Sequence, residues 1–300
     1  MYLHESPQAM RRLVADAAKE FGRAQPYVYK DYFATLFLRE MVVEDPDIVF
    51  KGGTCLSKCY NAIARFSEDI DLGIEAIHAT EGRRKAMKRA VLICLSKIGL
   101  EPSNLEETRS RREFNRYEVP IPPLDPAEPK DAFLVETAVM TPASPAEKRP
   151  LQSFIGEYCE AMGYREAVDA YGLERFEVLA NSMERTFTDK VYAICDYYLA
   201  GIIPARQSRH IYDLYKLLSL VKLDDSLANL FETVRLQRKG GHRCPSAEDG
   251  VDVSAILLDI VGKDVYRKDY EDKTVPLLYE EIAYNEASSA LPKIAAFLKK

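Results

Sequence analysis

The stretch FKGGTCLSKCYNAIARFSEDIDLGIE, residues 50 to 75, constrains the fold of this chain more than any other part. An apolar run that ends at Phe50 is followed, after Lys51, by Gly52, Gly53 and Thr54, and an amphipathic pattern then continues from Thr54 to Ala64. This order predicts a strand, a tight turn and a helix. Two glycines after a strand let the backbone come close to a phosphate chain, and the free N–H groups at the start of the next helix point at that anion.

Two aspartates follow the predicted helix. Asp69 and Asp71 alternate with Ile70 and Leu72 at the two-residue period of a strand, predicted over 69–74, so both carboxylates should face the same way. Oxygen ligands of this kind suit Mg²⁺ that also holds substrate phosphates, and such ions stabilise attacking and leaving oxygens in phosphoryl displacement. Alternating carboxylates also occur on ordinary surface strands. The preceding glycine turn favours a nucleotide-and-metal site here.

The wording of these two motifs, K-G-G-T-x-L-S-K and R-F-S-E-D-I-D-L, resembles the nucleotidyltransferase family of AbiEii/AbiGii and MenT toxins, within the polymerase-beta-like superfamily. The segments R-T-F-x-D-K-x-x-A-x-x-D from Arg185 and R-x-x-R-x-x-Y-D-L from Arg206 are similar to the family's C-terminal motifs. The resemblance implies an α+β fold in which a polymerase-beta-like domain, a mixed sheet with flanking helices, precedes a mainly helical domain that closes the active-site cleft. We therefore expect domains at 1–145 and 146–300.

A third carboxylate lies in a strand predicted over 132–140. Glu136 is the ionisable residue of the otherwise apolar run Phe133 to Val139, and a carboxylate in a central strand is costly unless it is paired or bound to metal. Polymerase-beta-like sites take a third carboxylate from a neighbouring strand, and Glu136 suits that position. The alternative is a glutamate on an edge strand that faces water.

A lysine and an aspartate in the second half of the chain form another candidate pair. Lys190 and Asp213 lie on helices predicted to be adjacent and antiparallel, where they could reach one pocket or form a simple inter-helix ion pair. The resemblance implies that both are functional, with Lys190 on the triphosphate and Asp213 in the same pocket. The family usually has an aspartate directly after the second arginine of the last motif, and here that residue is His210.

The resemblance implies a nucleotide site built from both halves of the sequence. The expected catalytic residues are Asp69, Asp71, Lys190 and Asp213. The expected metal ligands, for Mg²⁺, are Asp69, Asp71 and Glu136. The expected nucleotide-binding residues are Lys51, Gly52, Gly53, Thr54, Ser67, Lys190 and Arg209.

The activity implied by this family is that of a toxin of an abortive-infection toxin–antitoxin system that acts in phage defence. It would transfer nucleotides from an NTP to the 3′ end of tRNA, release pyrophosphate and block translation, and an antitoxin would be encoded nearby, with direct binding left open. The alternatives are transfer to a protein hydroxyl or a small molecule, and nucleotide binding without catalysis.

The overall charge does not by itself indicate a nucleic-acid-binding protein, because the formal net charge is −6. Local basic runs could still form a positive face, although each could equally be a solvated helix surface. They are Arg83 to Lys85, Lys88 and Arg89, Arg109 to Arg112, and Arg235 to Lys239. With no apolar run of membrane-spanning length and no secretion-signal pattern, a cytoplasmic protein without membrane contact is expected. The six cysteines contain no C-x-x-C and predict reduced, buried thiols.

The remaining pattern predicts further helices and strands, with a proline-containing link at 141–150. The other predicted strands are 47–50, 113–121 and, as a short possibility, 176–179. The other predicted helices are 7–21, 27–43, 80–98, 151–162, 183–199, 209–220, 226–238, 254–261, 275–284 and 287–298.

Overall fold

The computed structural model describes residues 1–67, 69–75, 80–109, 113–125, 127, 131–139 and 142–299. The described chain is a mixed α/β structure with one six-stranded sheet, consistent with an α+β nucleotidyltransferase. It divides into two compact units, each described separately below. The first contains residues 1–59 and 68–181, and the second contains residues 60–67 and 182–300.

The sheet lies entirely within the first unit. Its strands are β1 Val49–Lys51, β2 Ile70–Gly73, β3 Phe114–Ile121, β4 Asp131–Ala138, β5 Ala146–Leu151 and β6 Phe176–Asn181. The strand order is β3-β4-β2-β1-β6-β5. The pairs β2–β4 and β1–β6 are parallel, and the other three neighbouring pairs are antiparallel. Because β2 and β4 are both interior strands, any polar side chain on them sits within the sheet and not at its edge.

Helices of the first unit cover this sheet. They are α1 Pro7–Glu20, α2 Gln25–Glu44, α3 Gly52–Lys58, α4 Glu81–Lys97, α5 Phe154–Ala161 and α6 Arg165–Tyr171. Helix α2 is buried at every position from Tyr27 to Leu38, as expected of a helix enclosed by other elements. Its Phe37 packs against Phe133 of β4, with the ring centres 6.2 Å apart. The Thr80 hydroxyl caps α4 by accepting a hydrogen bond from the Arg83 amide.

The described part of the second unit is built from helices. They are α7 Met183–Leu199, α8 Arg209–Leu217, α9 Asp225–Arg238, α10 Val253–Gly262, α11 Arg267–Asp269, α12 Tyr284–Ser288 and α13 Ala290–Leu298. Segment 60–67 joins them through backbone hydrogen bonds, from the Phe66 amide to the Leu277 carbonyl (2.8 Å) and from the Tyr279 amide to the Ala64 carbonyl (2.9 Å). Among the residues described, none of the helices has both the length and the apolar character needed to cross a bilayer.

Several sequence predictions were wrong. The helix predicted over 54–64 is only Gly52–Lys58, and residues 61–67 are irregular chain with backbone hydrogen bonds inside the second unit. The predicted link at 141–150 contains strand β5, which pairs with β6 along its whole length. The helix predicted over 275–284 is a short 3₁₀ turn, Val275–Leu277, followed by irregular chain. The prediction also missed α6.

The two units divide the chain differently from the expected domains at 1–145 and 146–300. Strands β5 and β6 belong to the sheet, so 146–181 are part of the first unit, while 60–67 belong to the second. Residues 140 and 141, at the end of a predicted strand and the start of the predicted link, lie outside the described residues.

Candidate active site

Two carboxylates occupy directly paired positions on adjacent strands. In the parallel register of β2 and β4, Asp71 is the partner of Glu136. Asp69 precedes Asp71 by two residues, and the intervening Ile70 is fully buried, as is Leu72, while both aspartates are only partly buried. The predicted alternation is therefore confirmed, and three carboxylates are gathered on one part of the sheet.

The environment of Glu136 reflects this crowding. Burial raises the pKa of the Glu136 carboxyl to about 7, and the nearby charges of Asp71 and Asp69 contribute in the same direction. Arg116, its partner on β3, opposes the shift only in part, with 3.8 Å between Arg116 Nε and Glu136 Oε1. The glutamate is 26% exposed and lies on an interior strand, so the alternative of a water-facing edge glutamate was wrong.

The glycine turn lies directly against Asp71. Gly52 has φ +80°, and a Cβ atom built on it would be 1.9 Å from Asp71 Oδ2. Lys51, at the end of β1, is the register partner of Asp71, and α3 starts at the next residue. Thr54, in the first turn of α3, is buried. Glycine is thus required at position 52 both for its backbone conformation and for the space that the carboxylate occupies.

The donor set at this part of the sheet suits a hard cation. Its candidate ligands are all carboxylate oxygens, and they repel one another enough to shift the pKa of Glu136. Within the described residues, no group of three His, Cys, Asp or Glu side chains is placed so that it could hold a metal ion. A cation bound here would therefore need oxygen ligands beyond these carboxylates, such as substrate phosphates.

A second cluster of charges lies within the second unit, around Asp213 of α8. Asp213 is fully buried and binds Arg65 through both oxygens, with 2.6 Å from Nε to Oδ1 and 2.8 Å from Nη2 to Oδ2. Lys190 of α7 places its Nζ 2.7 Å from Asp213 Oδ2. Burial alone would raise the pKa of Asp213, but the charges of Arg65 and Lys190 outweigh it and hold that pKa well below its usual range. Lys190 and Asp213 are therefore in contact. This contact is expected both for a shared functional pocket and for a simple inter-helix ion pair.

His210 also contacts Lys190, with its Nδ1 3.3 Å from Lys190 Nζ. Burial lowers the pKa of His210 well below its ordinary value, and the neighbouring charges of Lys190 and Arg209 act in the same direction. The imidazole is therefore neutral near pH 7 and accepts a hydrogen bond from the lysine. It does not supply the negative charge that the usual family aspartate would bring.

The predicted site residues thus fall into two sets. The first unit brings together Lys51, Gly52, Gly53, Thr54, Asp69, Asp71 and Glu136. The second unit contains Ser67, Lys190, Arg209 and Asp213. Sequence reasoning missed Arg65 as a partner of Asp213, although Arg65 is the first residue of the R-F-S-E-D-I-D-L motif. It also missed that Lys58, the last residue of the glycine motif, forms an ion pair with Asp31 of α2.

Most of the basic residues considered for a positive face have acidic or carbonyl partners in the chain. On α4, Arg83 pairs with Asp45, Arg84 with Glu113, and Lys88 with the Thr108 carbonyl, whereas Lys85 and Arg89 are exposed. On α9 and just after it, Arg235 and Lys239 pair with Asp249, and Arg238 pairs with Asp196. Residues 110–112, part of another predicted basic run, lie outside the described residues.

A glycine turn packed on a strand aspartate lies beside paired carboxylates in a mixed sheet, as the resemblance to nucleotidyltransferases implies. The family model described as "Nucleotidyl transferase AbiEii toxin, Type IV TA system" matches residues 36–250, more than two thirds of the chain. The match includes all the predicted site residues. The chain therefore belongs to the AbiEii nucleotidyltransferase family of type IV toxin–antitoxin systems. No curated protein matches it.

Proposed function

We propose that this protein is a Mg²⁺-dependent toxin that transfers a nucleotide from an NTP to the 3′ end of tRNA, releases pyrophosphate and so blocks translation. The main support for transferase chemistry is the direct pairing of Asp71 with Glu136 on adjacent strands. The Asp71 carboxylate also occupies the space that a side chain at Gly52 would need. Family membership supports the transferase class and a system that includes an antitoxin. The tRNA acceptor rests on the resemblance of the sequence motifs alone.

The chain's own residues have distinct tasks in this proposal. Asp69, Asp71 and Glu136 would hold Mg²⁺, which when bound neutralises phosphate charge and lowers the pKa of an attacking hydroxyl. The backbone amides of Gly53 and Thr54, with Ser67, would bind the β- and γ-phosphates. The rate would then come mainly from positioning and charge stabilisation.

Lys190 has a separate task in the same proposal. Its ammonium would offset charge on the triphosphate, and Asp213 would hold that ammonium in place. The direct contact between Lys190 Nζ and Asp213 Oδ2 supports the second part of this assignment.

Nucleotide transfer can be tested with total tRNA, MgCl₂ and each α-labelled NTP in turn. We expect one or more NTPs to label tRNA, and we expect no label on tRNA whose 3′ ribose has been oxidised with periodate. Asp71→Asn should abolish transfer. Glu118→Gln, which changes an exposed carboxylate on strand β3 of the same sheet, is the matched control and should be fully active.

Each arm of this experiment can contradict one part of the proposal. Wild-type transfer by Asp71→Asn would show that the carboxylate site is misassigned. Labelling of periodate-treated tRNA would exclude the 3′ end as acceptor. Pyrophosphate release with a protein or small molecule but not with tRNA would establish the alternative acceptor class, and NTP binding with no acceptor at all would indicate a binding module.

Contact with tRNA can be tested through its salt dependence. Lys85 and Arg89 are the exposed cations of the α4 series, so Lys85→Glu with Arg89→Glu should weaken tRNA binding without changing NTP affinity. Each lost phosphate contact should reduce the slope of log K against log salt by about 0.7 to 0.9. The control is Arg11→Glu with Arg12→Glu, which reverses two exposed charges on α1. Equal slopes for all three proteins would exclude α4 as an RNA contact.

A further inference from the structure

Two cations share one buried carboxylate in the second unit. Arg65 is 1% exposed and Lys190 has a side chain 7% exposed, and both bond to the fully buried Asp213. His210, the further contact of Lys190, is neutral near pH 7. Burial lowers the pKa of the Lys190 ammonium, and the neighbouring charge of Asp213 opposes that shift. The Asp213 carboxylate therefore governs both the position and the charge of Lys190.

The geometry of Arg65 determines how the single negative charge is divided. Its guanidinium takes both oxygens of Asp213 in the bidentate arrangement that is the strongest form of this contact, and its Nη1 donates to the Phe66 carbonyl at 2.9 Å. Lys190 shares only Oδ2. The carboxylate is therefore fixed in orientation by Arg65, and its charge is committed largely to the arginine.

The backbone around Arg65 is fixed as well. The Ala64 amide donates to the Tyr212 hydroxyl at 3.0 Å, next to Asp213 in the chain, and residue 65 forms an isolated antiparallel bridge with Leu278. The guanidinium is thus held from both its backbone and its side chain. A lysine at this position could supply the charge but not the two-pronged contact.

We propose that Arg65 is a positioning residue for nucleotide binding. Arg65 orients the Asp213 carboxylate and binds most of its negative charge. Lys190 is then held in place by Asp213 while the positive charge of Lys190 stays available to a polyphosphate. This inference rests on the proposed function, which supplies the polyphosphate as the triphosphate of the NTP. Arg65 does not itself need to touch the nucleotide. A purely structural role would instead make the Arg65–Asp213 pair a link that only attaches segment 60–67 to α8.

The test is a double-mutant cycle between Arg65 and Lys190, measured by KM for NTP, kcat and the equilibrium Kd for the unreactive α,β-methylene analogue of the same NTP. We expect Arg65→Lys to raise KM and Kd about tenfold with a smaller change in kcat, and Arg65→Gln to raise them further. In a Lys190→Met background the same Arg65 substitutions should change Kd less than twofold, because the residue through which Arg65 acts is gone.

Arg185→Lys is the matched control. Arg185 is also fully buried in the second unit and also pairs with an aspartate, Asp189, through its Nε at 3.0 Å. It should lower Tm without raising Kd. The proposal is overturned if Arg65→Lys lowers Tm but leaves Kd unchanged, or if its effect on Kd is equally large in the Lys190→Met background. Loss of the folded protein in both Arg65 variants while Arg185→Lys folds would also overturn it.

Failure here is distinguishable from failure of the proposed function. If wild-type protein transfers nucleotide and Asp71→Asn does not, but the cycle shows no coupling, only the role of Arg65 is wrong. If the wild-type protein binds neither the NTP nor its analogue, both the triphosphate assignment and the role of Arg65 are wrong.

Discussion

The substitution Gly52→Ala tests the candidate site most directly, because it introduces a single methyl group. The backbone at Gly52 has φ +80°, and placing a residue with a Cβ there costs about 1–2 kcal/mol of strain. The new Cβ would lie 1.9 Å from Asp71 Oδ2, a distance that real Cβ atoms do not show. The carboxylate must therefore move by about 1 Å or more, and a displacement of that size costs on the order of 10²-fold in rate.

Gly99→Ala separates the strain from the clash. Gly99 follows the end of α4 with φ +73°, and a Cβ there would meet no atom within 4 Å. Backbone strain should cost each variant ~1–2 kcal/mol in the free energy of unfolding, measured by urea denaturation, and the clash should make the loss larger in Gly52→Ala. Only Gly52→Ala should lose nucleotide transfer, by about 100-fold in kcat/KM. Wild-type kcat/KM in Gly52→Ala, or an equal loss in Gly99→Ala, would refute the argument that the glycine makes room for Asp71.

Three further predictions concern the charged groups. The folded-state pKa of Glu136, about 7, lies above its ordinary 4.5, so its contribution to stability is present below pH 4.5 and lost as pH rises through 7. In EDTA, the free energy of unfolding of Glu136→Gln, measured in urea, should therefore rise relative to that of wild type by up to about 3 kcal/mol between pH 4.5 and 8. Parallel curves of unfolding free energy against pH for the two proteins would contradict this. Asp71→Ala should abolish transfer but leave Tm unchanged or raised, since it relieves repulsion, and a large fall in Tm would count against a carboxylate cluster. Lys190→Ala should reduce kcat/KM for NTP by roughly tenfold to a hundredfold, the equivalent of 1.5–3 kcal/mol, whereas a lowered Tm with normal kinetics would indicate an ion pair alone.

The parts of the fold that the sequence predicted well are those set by local patterns. Helix α7 has the predicted bounds, Met183–Leu199, because its apolar period is strong and the Ser182 hydroxyl caps it by accepting a hydrogen bond from the Arg185 amide. The alternation of aspartates with apolar residues around Asp71 was equally easy to predict, because a two-residue period can be recognised in only four or five residues. Glu136 stood out because one charge interrupts an apolar run.

Two errors came from elements whose partners are distant in sequence. Strand β5 has the sequence AEKRPL, and its polar composition resembles a linker because it forms an edge of the sheet, where charged residues and proline are common. Residues 61–64 follow a helical pattern but are not helical, because the segment 61–67 bonds to chain more than 200 residues away, at Leu277 and Tyr279. Tertiary hydrogen bonds of this kind outweigh local propensity and leave no local signal.

The contacts of Asp213 show a further limit. Arg65 and Asp213 are 148 residues apart, and nothing in either motif reveals that one side chain binds the other. The sequence could identify Lys190 and Asp213 as a pair because they lie on consecutive predicted helices. It could not show that a second cation, Arg65, shares the same carboxylate through both of its oxygens.

Charge runs in the sequence also overstated the positive surface. Arg83, Arg84 and Lys88 read as one basic stripe, yet each contacts an acidic or carbonyl group elsewhere in the first unit. A cation already paired in this way must break that contact before it can neutralise a phosphate, so its contribution to RNA binding would be the difference between two similar interactions. Lys85 and Arg89 are exposed on the same helix and would contribute more fully. The number of phosphate contacts on α4 should therefore be closer to two than to the five that the sequence suggests.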